Sequence, residues 1–119
     1  MKFGHLGIAV KDFEQSKVFY KSVCAALGLS LVGENEQSVR FGLDGRVMFY
    51  IHTSGMSSGP VHLAFEVDSH EEVDAFHKAA LAAGGKDNGV PGIRENYSPT
   101  YYAAFVFDLD GNNIEAVCR

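Results

Sequence analysis

The chain is poor in cysteine and has no basic run. Only Cys24 and Cys118 occur in 119 residues. Two isolated thiols offer no framework of bridges, so reduced cysteines in a cytoplasmic protein are expected. No segment is rich in lysine or arginine, and 15 acidic residues against 10 basic ones give a net charge of -5. Binding to nucleic acid or to an anionic membrane needs clustered positive charge, so neither is expected as a partner. No apolar run approaches the length of a membrane span. The start, Met1-Lys2-Phe3-Gly4-His5, runs straight into a strand pattern and lacks the apolar stretch of a secretory leader. Hydrophobic residues make up 46% of the chain, enough to build a core in one domain without staples.

What the chain does have is a repeat. Sliding the sequence by 57 residues lays residues 5–28 (HLGIAVKDFEQSKVFYKSVCAALG) on residues 62–85 (HLAFEVDSHEEVDAFHKAALAAGG), with nine of 24 positions identical. His5 falls on His62, Phe19 on Phe76 and Gly28 on Gly85. The halves also end alike: FGLDGRVMFYI at 41–51 resembles FDLDGNNIEAV at 107–117, at an offset of 66. Repetition on this scale marks two copies of one supersecondary unit. Residues 1–119 are one domain, with module 1 at about 1–54 and module 2 at about 60–119.

Each half has the pattern βαβββ. Residues 3–10 alternate as a strand. Asp12 offers a helix N-cap, and Ser69-x-x-Glu72 is a capping box in the second half. Val73, Phe76, Ala80 and Ala83 fall on one helix face. Further strands are predicted near 30–34, 38–43 and 47–53, and near 86–90, 101–108 and 113–118. Asp44-Gly45 and Asp110-Gly111 are hairpin signals. The insertion in 86–106, with Gly89, Pro91, Gly92 and Pro99, reads as a loop. The fold class is α+β: two tandem βαβββ modules forming a cup-shaped, mostly antiparallel sheet.

Strand alternation sorts the side chains. Leu6, Ile8 and Val10 face the first helix, so His5 points the other way; by the same parity His62 opposes Leu63, Phe65 and Val67. Glu115 lies opposite Ile114 and Ala116. Two imidazoles and a carboxylate on the open face suit one divalent metal ion, with His5, His62 and Glu115 as ligands and positions left open for water or substrate. Glu66 and Asn113 share that face, and Asn113 can orient Glu115 or substrate. The inserted loop is rich in polar aromatics: Arg94 can grip an anionic group, and Tyr97, Tyr101 or Tyr102 can line the cup or donate a proton. We assign catalytic roles to Glu115 and Tyr102, and substrate contacts to Phe49, Arg94, Tyr97, Tyr101 and Asn113. His70 and His77 are structural or exposed, Cys24 packs in the core, and no base at suitable spacing marks Cys118 as a nucleophile.

The opening His5-Leu6-Gly7-Ile8-Ala9-Val10, the Phe19-Tyr20 pair, Val61-His62-Leu63-Ala64-Phe65 and, most specifically, Asp108-Leu109-Asp110-Gly111-Asn112-Asn113-Ile114-Glu115 resemble the vicinal oxygen chelate superfamily of glyoxalases, bleomycin-resistance proteins and extradiol dioxygenases. The resemblance covers essentially the whole chain. It implies two modules around a cup, metal ligands at His5, His62 and Glu115, a homodimer, and in some members a site shared between chains. The ion would be zinc, manganese, nickel or iron, and the substrate a small oxygenated molecule chelated to it. Lyase or isomerase, transferase and dioxygenase chemistry all fit; the alternative is a non-enzymatic drug-binding protein of the bleomycin-resistance type, and a third is a degenerate structural domain. One departure stands out. The 66-residue offset puts Phe49 where glyoxalase I-like members have a fourth protein ligand, so Phe49 would line the pocket instead. His52, an odd number of residues further on, should face away from the cup unless a bulge intervenes.

Overall fold

The computed structural model describes residues 1–55 and 59–119. Module 1 contains β1 (Leu6–Ala9), α1 (Phe13–Ala26), β2 (Ser30–Glu34), β3 (Ser38–Leu43) and β4 (Arg46–His52). Module 2 contains β5 (His62–Glu66), α2 (His70–Ala82), β6 (Lys86–Ile93), β7 (Tyr102–Phe107) and β8 (Asn113–Cys118). The predicted βαβββ order holds in both halves. Asp12 caps α1 by accepting from the Gln15 amide at 3.1 Å, and Ser69 caps α2 by accepting from the Glu72 amide at 3.2 Å. β6 runs further than expected, to Ile93, because its pairing with β7 slips past Gly89 and Gly92 instead of stopping there. No described helix is long and apolar enough to cross a membrane.

Each module forms its own four-stranded sheet, in the order β1-β4-β3-β2 and β5-β8-β7-β6. The pairs β1–β4 and β5–β8 are parallel and the rest antiparallel. β1 and β5 are therefore edge strands. The helix-facing side chains of both sheets enter one core: Ile8, Phe41, Phe49 and Ile51 from module 1, and Val67, Val106, Ile114 and Ala116 from module 2. α1 and α2 pack on each other inside this core, and Phe49 meets Phe65 edge to face across the module seam, with ring centroids 5.7 Å apart. Burial of this apolar surface is the main stabilising term. The other face of each sheet points away from the core.

A buried polar chain ties the modules together. The Tyr20 hydroxyl, on α1, donates to Asp108 Oδ2 in the β7–β8 turn. Asp108 also accepts from the Asp110 amide at 2.9 Å, the Asn112 amide at 2.8 Å and Asn112 Nδ2 at 2.8 Å. Asn112 Oδ1 in turn accepts from the Val61 amide at 2.9 Å, at the entry to β5. Burial first, and the neighbouring Asp108 carboxylate second, hold the Tyr20 phenol far above its ordinary pKa, so it stays a neutral donor. The conspicuous Asp108–Asn112 run thus serves to close a turn and join two modules.

Candidate metal centre

The open face of module 2 carries the acid and one of the histidines. Ala64 and Glu115 are register partners on β5 and β8, as are His62 and Asn113. His62 Nε2 and Glu115 Oε2 stand 3.0 Å apart. The carboxylate is 3% exposed and the imidazole 51%, so the acid lies deep and the histidine at the rim. The second carboxylate oxygen, Oε1, accepts from the Tyr101 hydroxyl at 2.5 Å. Removal from water, and then this hydrogen bond, push the Tyr101 phenol up to about 12. Tyr101 therefore acts as a fixed neutral donor that aims the carboxylate. Tyr97 leans on it with ring centroids 4.9 Å apart.

The donor set fits a cation. His62 Nδ1 lies 3.0 Å from the backbone carbonyl oxygen of Asn113, which can only accept, so Nδ1 carries the proton and donates. In the neutral ring Nε2 then presents a lone pair to a carboxylate oxygen 3.0 Å away. Two lone pairs at that separation need a positive centre between them, either a proton or a metal ion. Imidazole nitrogen and carboxylate oxygen are ordinary ligands for divalent zinc, manganese, nickel or iron.

His5 does not complete this set within one chain. It projects from the end of β1 onto the open face of module 1, beside Tyr50, with ring centroids 5.9 Å apart. Among the described residues no three of His, Cys, Asp and Glu come together as a metal site. The physical reason is the shared core: both sheets turn their helical sides inward, so their open faces look away from each other.

The structure also moves other expected site residues. Phe49 is 1% exposed and packs against Tyr20, Phe41 and Phe65. It lines an apolar cleft of about 540 Å³ at the module seam, with Leu6, Leu63 and Phe65, and does not reach the open face. The module 1 hairpin has a two-residue turn, and its pairing shifts between Phe41 and Gly42, so β4 gains one residue at Met48. The β7–β8 ladder has no such shift. Aligning the halves on their turn glycines therefore slips by one residue along the strand. The register pairs Gly7 with Tyr50 in module 1 and Ala64 with Glu115 in module 2. Tyr50 is the counterpart of Glu115, and His52, two residues on, shares the open face. Gly7 is required beneath it: a Cβ there would stand 2.2 Å from Tyr50 Cζ.

Tyr102, expected to be catalytic, points to the helical side. Its hydroxyl donates to Asp74 at 2.7 Å on α2 and its ring stacks on His70 with centroids 3.8 Å apart. Tyr101 and Tyr102 are adjacent in an extended segment and cannot both face the cup. Arg94 lies on the open face above Phe105, 5.3 Å from the ring centroid. Its guanidinium donates to the backbone oxygens of Gly92 at 2.9 Å and Val90 at 2.7 Å, which holds β6 in shape. Asn113 is on the open face, where its Oδ1 accepts from Asn88 Nδ2 at 3.2 Å. Among the histidines outside the site, His77 Nε2 meets Asp87 Oδ1 at 2.9 Å and fastens α2 to β6.

The Glyoxalase/Bleomycin resistance protein/Dioxygenase superfamily matches the chain over residues 2–116. The chain belongs to this superfamily. A glyoxalase/bleomycin resistance protein from Albidiferax ferrireducens T118 superposes with a TM-score of 0.85 at 32% identity, covering 98% of each chain. A glyoxalase-related enzyme from Fulvimarina pelagi superposes at 0.75 with 21% identity over 99% of this chain and 88% of that one. The fosfomycin resistance protein FosX from Listeria monocytogenes superposes at 0.72 with 18% identity, over 100% of this chain and 93% of that one. The last two likenesses are of fold alone. No relative of curated function matches the chain.

Proposed function

We propose that this member of the superfamily is a divalent-metal-dependent enzyme acting on a small oxygenated substrate, with each site completed by a second copy of the chain. The carrying observation is the 3.0 Å approach of His62 Nε2 to Glu115 Oε2 with the other imidazole nitrogen committed to the Asn113 carbonyl. His62 and Glu115 of one copy, with His5 of the other, would hold the ion. A divalent ion there supplies a Lewis acid that orients and polarises vicinal oxygens. The chain's own residues do the rest. Tyr101 keeps the carboxylate aimed, and Glu115, when not fully engaged, can take or return a proton next to the bound substrate. Lyase or isomerase, transferase and dioxygenase chemistry all use such a centre.

Pairing of copies is supported by the edges. β1 and β5 both end their sheets, and the apolar cleft beside them is bordered by exposed Phe3 and Met48. Unpaired edges next to apolar surface are features that association covers. Bringing module 1 of one copy against module 2 of another sets His5 opposite His62 and Glu115 and makes a cup between two open faces.

The test is complementation. Metal content is measured by mass spectrometry in the native protein, in His5→Ala, in Glu115→Ala, and in a doubly tagged heterodimer of the two variants, each checked for folding. One ion per chain in the native protein, none in either variant and one per heterodimer supports the shared site, because the heterodimer rebuilds one intact set. A metal-free heterodimer refutes sharing between chains. No metal in the native protein, even after reconstitution with divalent ions, refutes the metal-dependent reading and leaves a small-molecule-binding cup of the bleomycin-resistance type.

A further inference from the structure

The open face of module 1 carries no acidic residue among those described, although the chain as a whole is acidic with a net charge of -5. It carries instead a cross-strand square. Arg40 pairs with Tyr50 and Ser38 with His52 in the β3–β4 register. Arg40 Nη1 donates to Ser38 Oγ at 2.6 Å. Its Nη2 lies where a Cβ on Gly33 would stand 2.6 Å away, so the absence of a side chain at Gly33 lets the guanidinium lie flat on the sheet. The Tyr50 and His52 rings are neighbours, with centroids 5.5 Å apart. No ion pair engages Arg40 among the described residues, and only one of its five donors has a protein partner.

Arg94 also lies near glycines on an open face, but it is engaged by two backbone carbonyls. Arg40 is half-buried, oriented by a serine, and free to make a two-pronged contact. A partly desolvated guanidinium without a carboxylate is costly unless something anionic meets it. We infer that Arg40, with Tyr50 and His52, is the recognition site for an oxyanion, a carboxylate or phosphoryl group, on the substrate. This rests on the cup reading above, because it makes module 1 the wall that takes the substrate's anionic end while module 2 holds the reacting oxygens.

The experiment uses metal-free full-length protein, so its failure is separable from failure of the metal reading. Inorganic phosphate and acetate are titrated separately and followed by amide chemical shifts, with trimethyl phosphate as the uncharged control. Saturable shifts confined to β3 and β4 with phosphate or acetate, weakened about tenfold or more in Arg40→Met and kept in Arg94→Met, are expected for a charge-assisted bidentate contact. The arm that binds tighter separates a phosphoryl from a carboxylate preference. Arg40→Met keeps most of the aliphatic stem, and Arg40→Lys, which keeps the charge but not the fork, should fall between the two. Shifts that persist in Arg40→Met, that appear equally with trimethyl phosphate, or that fail to appear with either anion overturn the inference.

Discussion

Removing one oxygen atom tests the polar chain that joins the modules. Tyr20→Phe keeps the ring, which is 1% exposed and packs against Phe19 and Phe49 at centroid distances of 4.9 and 5.1 Å. It deletes only the hydroxyl that donates to Asp108 Oδ2. That oxygen keeps Asn112 Nδ2 at 2.8 Å, so the carboxylate is not stranded, but it loses a charge-assisted partner. A hydrogen bond to a charged group contributes about 1.5–3 kcal/mol net. With an unfolding entropy of about 2.1 cal/mol/K per residue, the 119 residues give roughly 250 cal/mol/K. The midpoint should fall by about 6–12 °C. Thermal unfolding followed by circular dichroism at fixed protein concentration reads this directly; the concentration must be fixed because association shifts the midpoint. The urea m-value should not change, since the surface exposed on unfolding is the same. A fall below about 2 °C, equivalent to about 0.5 kcal/mol, would refute the reasoning, because it lies well under the range for a bond to a charged group.

Substitutions at Phe49, Gly7 and Cys24 probe the packing of the core and of the module 1 sheet. Phe49→Ala should cost about 3–5 kcal/mol as a core deletion while Phe49→Leu costs under about 1.5 kcal/mol; a Phe49→Ala variant as stable as the native protein in urea would put the ring outside the core. Gly7→Ala should destabilise by about 1–3 kcal/mol through the Tyr50 ring, and a double-mutant cycle with Tyr50→Ala should remove most of that cost; an undiminished cost would mean that something other than the ring occupies the space. Burial pushes the Cys24 thiol well above its ordinary value, so the unfolded chain ionises this group near pH 8.5 while the folded chain does not. The stability from Cys24 is complete below that pH and declines as pH rises above it; Cys24→Ala should flatten the decline between about pH 8.5 and 10 in urea titrations, and an equally steep decline in the variant would exclude Cys24 as its source.

The sequence states some levels of this structure openly and hides others for identifiable reasons. Caps at Asp12 and Ser69 are local chemistry, and both operate as read. The faces of β1, β5 and β8 follow from parity, because Leu6 and Ile8, Leu63 and Phe65, and Ile114 and Ala116 recur at every second position. The 66-residue offset fails in β4, where the extra residue at Met48 moves every later side chain to the opposite face from the one the offset assigns. Phe41-Gly42-Leu43 gives no warning of it, apart from a glycine whose Cβ would stand 1.8 Å from the Arg46 carbonyl oxygen. This one slip put Phe49 at the cup and took Tyr50 and His52 away from it. Arg40 carries no local signal in the sequence, because Ser38, Tyr50 and His52 converge on it only once β3 and β4 are in register. Tyr102 was separable from Tyr101 by parity, given the correct starting residue for β7.

The two modules keep one backbone but differ in the charge of their open faces. At the position where Glu115 stands over Ala64, module 1 has Tyr50 over Gly7. Where module 2 has Phe105 opposite Glu115, module 1 has Arg40 opposite Tyr50. Each exchange removes a negative group or adds a positive one on module 1 and leaves the acid on module 2. A site made from two identical faces would repeat its charges and bind a symmetric ligand. A cup that sets an Arg40–His52 wall against a Glu115–His62 wall is polar along its width, so it fixes which end of a bound molecule meets which module. That polarity survives only when unlike modules meet. Like modules in contact would oppose two Arg40 walls, or two Glu115 walls, at a repulsive cost. In the pairing proposed above, the divergence of the two halves therefore favours contact between unlike modules of two copies.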